Sequence, residues 1–266
     1  MHLESLHLYP IKSCGGLAVE AWAVERLGLC YDRRWMVVAP DGRFLSQRER
    51  PRLALVRPRL EPPHLVVEAP GAPALALPLA PPASEPARVR VWRAMVEAWW
   101  AGAEADRWFS RVLGVPCRLA YLPDSGGRPV DPAYAPGGGD TAFTDGFPFL
   151  LVGRASLDEL NRRLAVPLPM NRFRPNLVVA GSEPFAEDRW RRIRIGAIAF
   201  DVVKPCARCV ITTTDQDTGA RGREPLRTLA TFRQVGGQVH FGQNLLHRGE
   251  GRLAVGDGVE VERARD

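Results

Sequence analysis

The chain has 266 residues, of which 45% are hydrophobic and 25% are charged, a composition typical of a folded globular protein. No run of about 18 apolar residues occurs, which excludes a membrane-spanning helix. The polar start MHLESLHLYPIKS is unlike a signal peptide, so we expect a cytoplasmic protein with no membrane partner. The net charge of +6 raises nucleic acid as a partner, but the arginines are scattered without interleaved aromatic residues, and no nucleic acid is expected.

The first half of the chain predicts β-structure with one helix. Alternating apolar residues predict strands in HLESLHLYPI, HLVVEA and ARVRVW, and RRWMVVAPDGRFLS predicts two strands around an Asp41-Gly42 turn. AGAEADRWFSRVLG has helical spacing and ends at Gly114. Residues 123–146 are rich in turn formers and include the run Gly137 to Gly139. This segment is interpreted either as the rim of an active site or as a surface linker.

The second half continues with short strands. FPFLLVG and RPNLVVAG predict buried strands, and SLDELNRRL predicts a helix with a capping box of Ser156 and Glu159. RRIRIGAIAFDVVKP predicts a hairpin that ends at Cys206, LRTLATFRQ a short helix, and RLAVGDGVEVER a closing hairpin. The pattern predicts a mainly β (α+β) fold with a few short helices, whose strands close their own edges as one or more β-barrels.

Two cysteines of the five lie three residues apart in KPCARCVITTTDQDTG, at Cys206 and Cys209. An odd, sparse set does not indicate a disulfide framework. A zinc site needs four ligands, but no second cysteine pair exists, and His240 and His247 lack finger spacing. A redox pair is disfavoured because the following residues are β-branched and turn-forming. A single soft thiolate ligand suits the segment better, although spacing alone leaves all three kinds of site open.

Lysine is rare in this chain. Only Lys12 and Lys204 among the 36 basic residues are lysines, and each lies shortly before a cysteine, in IKSC and KPCARC. Lysine carries a compact point charge, which the planar guanidinium of arginine does not reproduce. The pattern therefore suggests that both positions need an ammonium group.

Four segments follow one another along the chain in this order: LYPIKSCGG, FPFLLVGRASLDELNRRL, NRFRPNLVVAG, and KPCARCVITTTDQDTG followed by FGQN. Together they resemble the MOSC family, specifically two-part proteins such as the mitochondrial amidoxime-reducing components and their bacterial homologues. The resemblance runs from about Leu3 to about Val261. It implies a MOSC N-terminal β-barrel-like domain in residues 1–122 and a β-barrel MOSC domain in residues 123–266.

The resemblance also implies a molybdenum cofactor, in which a pterin dithiolene with a terminal phosphate holds the metal. Cys209 matches the cysteine that gives molybdenum a protein sulfur ligand and is the implied catalytic residue, whereas Cys206 matches a position without that role. Cofactor contacts are implied for Lys12, Ser13, Arg33, Thr144, Ser156, Arg174 and Asn176. Phosphate and pterin need fixed cations and multiple donors, which several of these side chains supply.

The activity implied is reduction of small N-hydroxylated or N-oxide compounds. No flavin or haem motif is recognisable and no cysteine follows Cys209 in this sequence, so electrons are expected from a separate donor protein that carries flavin, haem or iron–sulfur. Two alternatives stay open. One is a sulfur carrier or cofactor-handling protein in which Cys209 holds a persulfide or a transient ligand; the other is a non-catalytic basic binding module.

Overall fold

The computed structural model describes residues 1–265, and within them it contains 21 strands and three α-helices, which confirms the predicted mainly β fold. None of the helices in this described range is long and apolar enough to cross a membrane. The first half contains helix α1 (Ala103–Leu113) and strands β1 (His2–Leu8), β2 (Leu17–Val19), β3 (Ala21–Glu25), β4 (Gly28–Leu29), β5 (Trp35–Val38), β6 (Arg57–Glu61), β7 (His64–Ala69), β8 (Ala72–Pro78), β9 (Pro86–Val91), β10 (Ala94–Trp100) and β11 (Arg118–Tyr121).

The second half contains the remaining strands and two short helices. The strands are β12 (Arg128–Pro129), β13 (Asp140–Thr141), β14 (Phe149–Gly153), β15 (Leu177–Ala180), β16 (Trp190–Ile195), β17 (Ile198–Ala207), β18 (Gln234–Val235), β19 (Gln238–Arg248), β20 (Gly251–Ala254) and β21 (Val259–Ala264). The helices are α2 (Arg154–Arg162) and α3 (Leu226–Ala230), and single turns of 3₁₀ helix span Pro51–Leu55, Met170–Arg172, Ala186–Arg189 and Val210–Thr213.

The largest sheet has the strand order β2-β1-β15-β14-β19-β17-β16-β21, with β18 paired to β19. Strands β14 and β15 are parallel because helix α2 connects them, and the other neighbours are antiparallel. Strand β1, from the start of the chain, therefore lies inside a sheet made mostly of the second half. Its inward residues Leu3 and Leu6 pack with Phe149, Leu177 and other buried apolar residues of this sheet.

The N-terminal part has a core of its own, covered by the sheets β5-β11-β10-β9 and β6-β7-β8. Helix α1 packs onto this core through residues at helical spacing, including Ala105, Trp108, Phe109 and Val112, and it ends at Gly114, as the sequence predicts. The two parts thus have separate cores but share the largest sheet. The division at residue 122 stays a prediction.

One predicted strand pairing is wrong, and a second forms only in part. Strands β20 and β21 do not form the closing hairpin, because β20 pairs with β3 through Leu253 and β21 pairs with β16 through Val259. The two strands pair with different sheets, although both side chains lie in the same buried cluster, and these pairings override the hairpin signal of the Asp-Gly turn. The Asp41-Gly42 turn does form, but Phe44 after it makes only an isolated bridge to Val38.

The predicted capping box of helix α2 is also wrong. The helix begins at Arg154 and has Gly153 at its N-cap without a side-chain cap. Ser156 is fully buried; its hydroxyl donates to both carboxylate oxygens of Glu187, at 2.8 and 2.9 Å, and accepts from the Phe185 backbone N–H at 2.8 Å. A buried carboxylate without hydrogen-bond donors costs more free energy than an uncapped helix end. The Ser156 hydroxyl therefore bonds to Glu187 and does not cap the helix.

Ser156→Ala should lower the free energy of unfolding by about 1–3 kcal/mol, because it leaves the buried Glu187 carboxylate short of a donor. Burial raises the pKa of Glu187, so the carboxyl is protonated at acidic pH, and the loss should be larger near about pH 8 than near about pH 4. Urea unfolding at both pH values measures this. The control Ser84→Ala removes an exposed hydroxyl bond and should change stability by less than about 0.5 kcal/mol; equal losses would contradict the prediction.

Candidate functional site

Five neighbouring strands of the largest sheet bring their ends together at one edge. The His7 N–H donates to the Asn176 carbonyl at 2.8 Å, and the Asn176 N–H donates to the Leu150 carbonyl at 2.8 Å. Leu150 then pairs with Asn244, and Asn244 pairs with Lys204. This row of hydrogen-bonded residues holds four segments close together: the two that follow β1 and β17, and the two that precede β14 and β15.

These segments surround an open cavity with about 820 Å³ of empty space, which includes its mouth and the solvent there. Seven of the eight predicted site residues line it: Lys12, Ser13, Arg33, Thr144, Arg174, Asn176 and Cys209. Ser156 does not, because its hydroxyl is buried against Glu187. The sequence analysis did not single out Arg48 and Arg208, which also line the cavity.

The cavity is cationic. Its lining includes a single carboxylate, Asp145, and five cations: Lys12, Arg33, Arg48, Arg174 and Arg208. Lys12 is 5% exposed, and its Nζ donates to the Phe143 carbonyl at 2.8 Å and to Asp145 Oδ1 at 2.6 Å. Burial lowers the pKa of Lys12, and Asp145 opposes this. The Lys12 ammonium in turn holds the pKa of the Asp145 carboxyl well below its usual range. The excess of cations favours an anionic ligand.

A buried tyrosine supports two of these cations. The guanidinium carbons of Arg33 and Arg174 each lie 4.3 Å from the centroid of the Tyr9 ring, within cation–π range. The Tyr9 hydroxyl donates to the Pro175 carbonyl at 3.1 Å, and burial raises its pKa to about 12. Arg174 donates to the Cys14 carbonyl at 2.5 Å, so both guanidiniums are held in place. We call Tyr9, Arg33 and Arg174 the tyrosine platform.

Asn176 acts through this platform. Its Oδ1 accepts from Arg33 Nη1 at 3.0 Å and from the Leu150 N–H at 3.3 Å, and its Nδ2 donates to the His7 carbonyl at 3.2 Å. The side chain is 1% exposed, and protein groups use both its oxygen and its nitrogen. Asn176 therefore orients Arg33. Buried Asp32 does the same, since it accepts from Arg33 and from the Tyr9 N–H.

Backbone strain is concentrated at the cavity. Six non-glycine residues in the described chain have positive φ, and three of them line the cavity: Ser13 at 68°, Arg33 at 50° and Arg174 at 55°. Side chains other than glycine, asparagine and aspartate rarely adopt this region, and such strain gathers at binding sites.

Both cysteines of KPCARC line the cavity as free, half-buried thiols. Cys206 lies near the end of β17, and its Sγ accepts from Arg208 Nη1 at 3.0 Å. Cys209 precedes the 3₁₀ turn Val210–Thr213, where the sequence predicts no helix. The turn forms because the N–H and the hydroxyl of Thr212 both donate to the Cys209 carbonyl at 3.0 Å.

Protein side chains alone do not form a metal site in this structure. Across residues 1–265, no three histidine, cysteine, aspartate or glutamate side chains converge so that they could hold a metal ion. A metal bound to Cys209 therefore has to bring most of its other ligands with it, as the metal of a chelating cofactor does.

The loop of residues 123–146 contributes to the cavity only through its end. Thr144, Asp145 and Gly146 line the wall, which agrees with the interpretation of an active-site rim. The glycine run that suggested a rim lies elsewhere: the Cβ of an alanine at Gly137 would meet Arg248 at 3.2 Å, and Arg248 is not in the lining.

Comparison with known proteins agrees with this architecture. The family model described as the MOSC N-terminal beta barrel domain matches residues 1–116, and that of the MOSC domain matches residues 138–260. The chain is 34% identical to mitochondrial amidoxime-reducing component 1 of Mus musculus, over 97% of this chain and 81% of the relative. It is 37% identical to component 2 of Rattus norvegicus, over 97% of this chain and 82% of the relative.

Longer proteins match as well. The molybdenum cofactor sulfurase of Danio rerio is 34% identical over 92% of this chain, which spans 32% of that protein. The chain thus belongs to the MOSC family, in the two-part form with an N-terminal beta barrel domain before the MOSC domain. Within that family it is a homologue of the amidoxime-reducing components.

Gly16→Ala should disturb the tyrosine platform. A Cβ on Gly16 would lie 2.4 Å from Cε1 of the buried Tyr9 ring, so the ring would have to shift together with the arginines packed on it. We expect the free energy of unfolding to fall by about 1–3 kcal/mol in urea titration. Gly258→Ala is the control, because its Cβ meets no atom within 4 Å. If the two variants were equally stable, the platform would not be rigidly packed.

Proposed function

We propose that this protein is a molybdenum-cofactor-dependent reductase of N-hydroxylated compounds, with Cys209 as the protein sulfur ligand to molybdenum. The observation that carries the proposal is a free thiol at Cys209 inside a strongly cationic cavity, where residues 1–265 offer no complete set of protein metal ligands. Its homologues named as amidoxime-reducing components support the same activity.

The lining fits the cofactor in charge and in hydrogen-bonding chemistry. Lys12, Arg33 and Arg174 are fixed cations suited to a phosphate and to the heteroatoms of a pterin. Ser13 and Thr144 offer hydroxyl groups, while Asn176 orients Arg33. We add Arg48 and Arg208 to the binding residues. Ser156 has no part in this set, since its hydroxyl stabilises Glu187.

The reaction class follows from the cofactor and the substrate. When bound, the cofactor supplies two-electron redox chemistry. The N–O bond of the N-hydroxylated substrate breaks, two electrons and two protons are taken up, and the oxygen leaves as water. The electrons come from a separate donor protein carrying flavin, haem or iron–sulfur. This chain binds and orients both reactants, and the tyrosine platform keeps the positive charges in place while it does so.

Cys209→Ser tests the proposal directly. Substitutions of residues that only support metal ligands commonly lower activity about 10–100-fold, so loss of the ligand itself should lower amidoxime reduction by at least about 100-fold. Protein made in a cofactor-producing host is assayed for molybdenum, pterin and benzamidoxime reduction. Cys206→Ser is the matched control, because Cys206 lies three residues before Cys209 and also lines the cavity, and it should keep most of the activity. Wild-type protein purified with neither molybdenum nor pterin would contradict the proposal.

A sulfur carrier or cofactor-handling protein is the second candidate, because the chain also matches part of the molybdenum cofactor sulfurases. The same thiol and the same cations would serve it. Single-turnover reduction of benzamidoxime by an artificial electron donor separates the two functions, since a carrier gives no amidine. A persulfide on Cys209, detected by mass spectrometry, would favour the carrier.

A further inference from the structure

A second cavity opens beside the first, with about 1020 Å³ of empty space including its mouth. Asp145, Gly146 and Phe147 belong to the lining of both cavities, so they form a shared wall. The rest of its lining combines aromatic side chains with charged ones and includes Trp92, Tyr134, Arg93, Arg128, Asp131 and Lys204. A compound that entered this cavity would lie next to the Cys209 site.

Trp92 is held in an unusual position at this cavity. The indole is 48% exposed and its backbone has a left-handed φ of 57°. Phe44 packs edge-on against it with ring centroids 5.1 Å apart, and the guanidinium of Arg48 lies 4.8 Å from its centroid. Because Arg48 lines the first cavity, Trp92 stands close to the junction of the two. An exposed, strained aromatic residue that neighbours hold in place is typical of a ligand contact.

Lys204 supplies an available cation in the second cavity. Its Nζ lies 4.5 Å from the centroid of the Tyr134 ring, which in turn packs edge-on against Phe147 at 5.9 Å. Within residues 1–265, Lys204 forms no ion pair with a carboxylate, and neither does Arg93. Asp145 pairs with Lys12, Arg128 donates to the Thr144 carbonyl at 2.8 Å, and Asp131 accepts from a backbone N–H, so the cations of the lining outnumber the carboxylates that remain. The cavity therefore presents free positive charge beside aromatic faces.

We propose that this second cavity binds the organic part of the substrate and selects a planar aromatic compound that carries a carboxylate. Trp92 stacks on the ring and Lys204 pairs with the carboxylate, while the N-hydroxylated group reaches past Asp145–Phe147 into the first cavity. The inference rests on the proposed reductase function for the identity of the reacting group. It also gives Lys204, one of two lysines in an arginine-rich chain, a role that needs a compact ammonium group.

The test uses probes that lack an N–O bond, so that binding is measured without turnover. Titration calorimetry compares 4-carboxybenzamide with benzamide on the purified protein. Wild type should bind the carboxylate probe about tenfold more tightly, as expected for a charge-assisted hydrogen bond. Lys204→Met should remove this preference and Lys204→Arg should keep part of it. Trp92→Ala should weaken both probes. The control Arg223→Met removes an exposed cation outside both cavities and should change neither affinity.

Kinetics give a second readout. Lys204→Met should raise KM for 4-carboxybenzamidoxime about tenfold with kcat unchanged, and should leave both constants for benzamidoxime nearly unchanged. Equal affinity of wild type for the two calorimetric probes, binding of neither, or a preference that survives in Lys204→Met would overturn the inference. If the proposed reductase function were wrong, the wild type would turn over neither amidoxime, but its calorimetric preference for the carboxylate probe would remain. The two failures are therefore distinguishable.

Discussion

The packing of two guanidiniums against one buried tyrosine is the interaction on which the cavity depends. Arg33 and Arg174 carry like charges and would separate if they were free, yet each lies 4.3 Å from the Tyr9 centroid. Carbonyl acceptors, the Asp32 carboxylate and the Asn176 amide compensate them. Because the cations are already ordered before a ligand arrives, little side-chain entropy is lost on binding.

The largest sheet determines the position of the tyrosine platform. Asn176 and Leu150 join the ends of β1, β15 and β14 through main-chain hydrogen bonds, and β19 and β17 continue the row. The FGQN segment lies in β19, where Gly242 has a φ of 79° and an added Cβ would meet the Leu151 carbonyl at 2.7 Å. Glycine is required there by this close approach. The nearby register shift between Pro205 and Ala207 spans Cys206, one of the two cysteines that line the cavity.

Alternation and turn residues predict the mainly β fold and most strands. Seven residues of the cavity lining are predicted by the resemblance to the MOSC family, which four short motifs carry. The sequence analysis missed Arg48 and Arg208, since in a chain with so many arginines the residue type alone carries no signal. Asn176 lies in the cavity lining, and its amide is used by Arg33 and by the backbone, which only the three-dimensional arrangement reveals. The predictions for Ser156 and for the closing hairpin fail because they rest on local sequence alone. Local capping and turn signals were overridden by a buried Glu187 and by sheet partners distant in sequence.

The place of β1 inside the largest sheet has a consequence for synthesis of the chain. His2 pairs with Ala180, so β1 leaves the ribosome long before its partner strand β15, which lies about 180 residues along this sequence. At translation speeds of about 5–20 residues per second, that interval is on the order of ten seconds or more. During it, β1 can pair with β2, but its other edge has no partner, and Leu3, Leu6 and Leu8, all fully buried in the folded protein, lack the β15 residues beside them. Until β15 is made, the open edge of β1 can pair with other chains, so this segment is open to aggregation during synthesis.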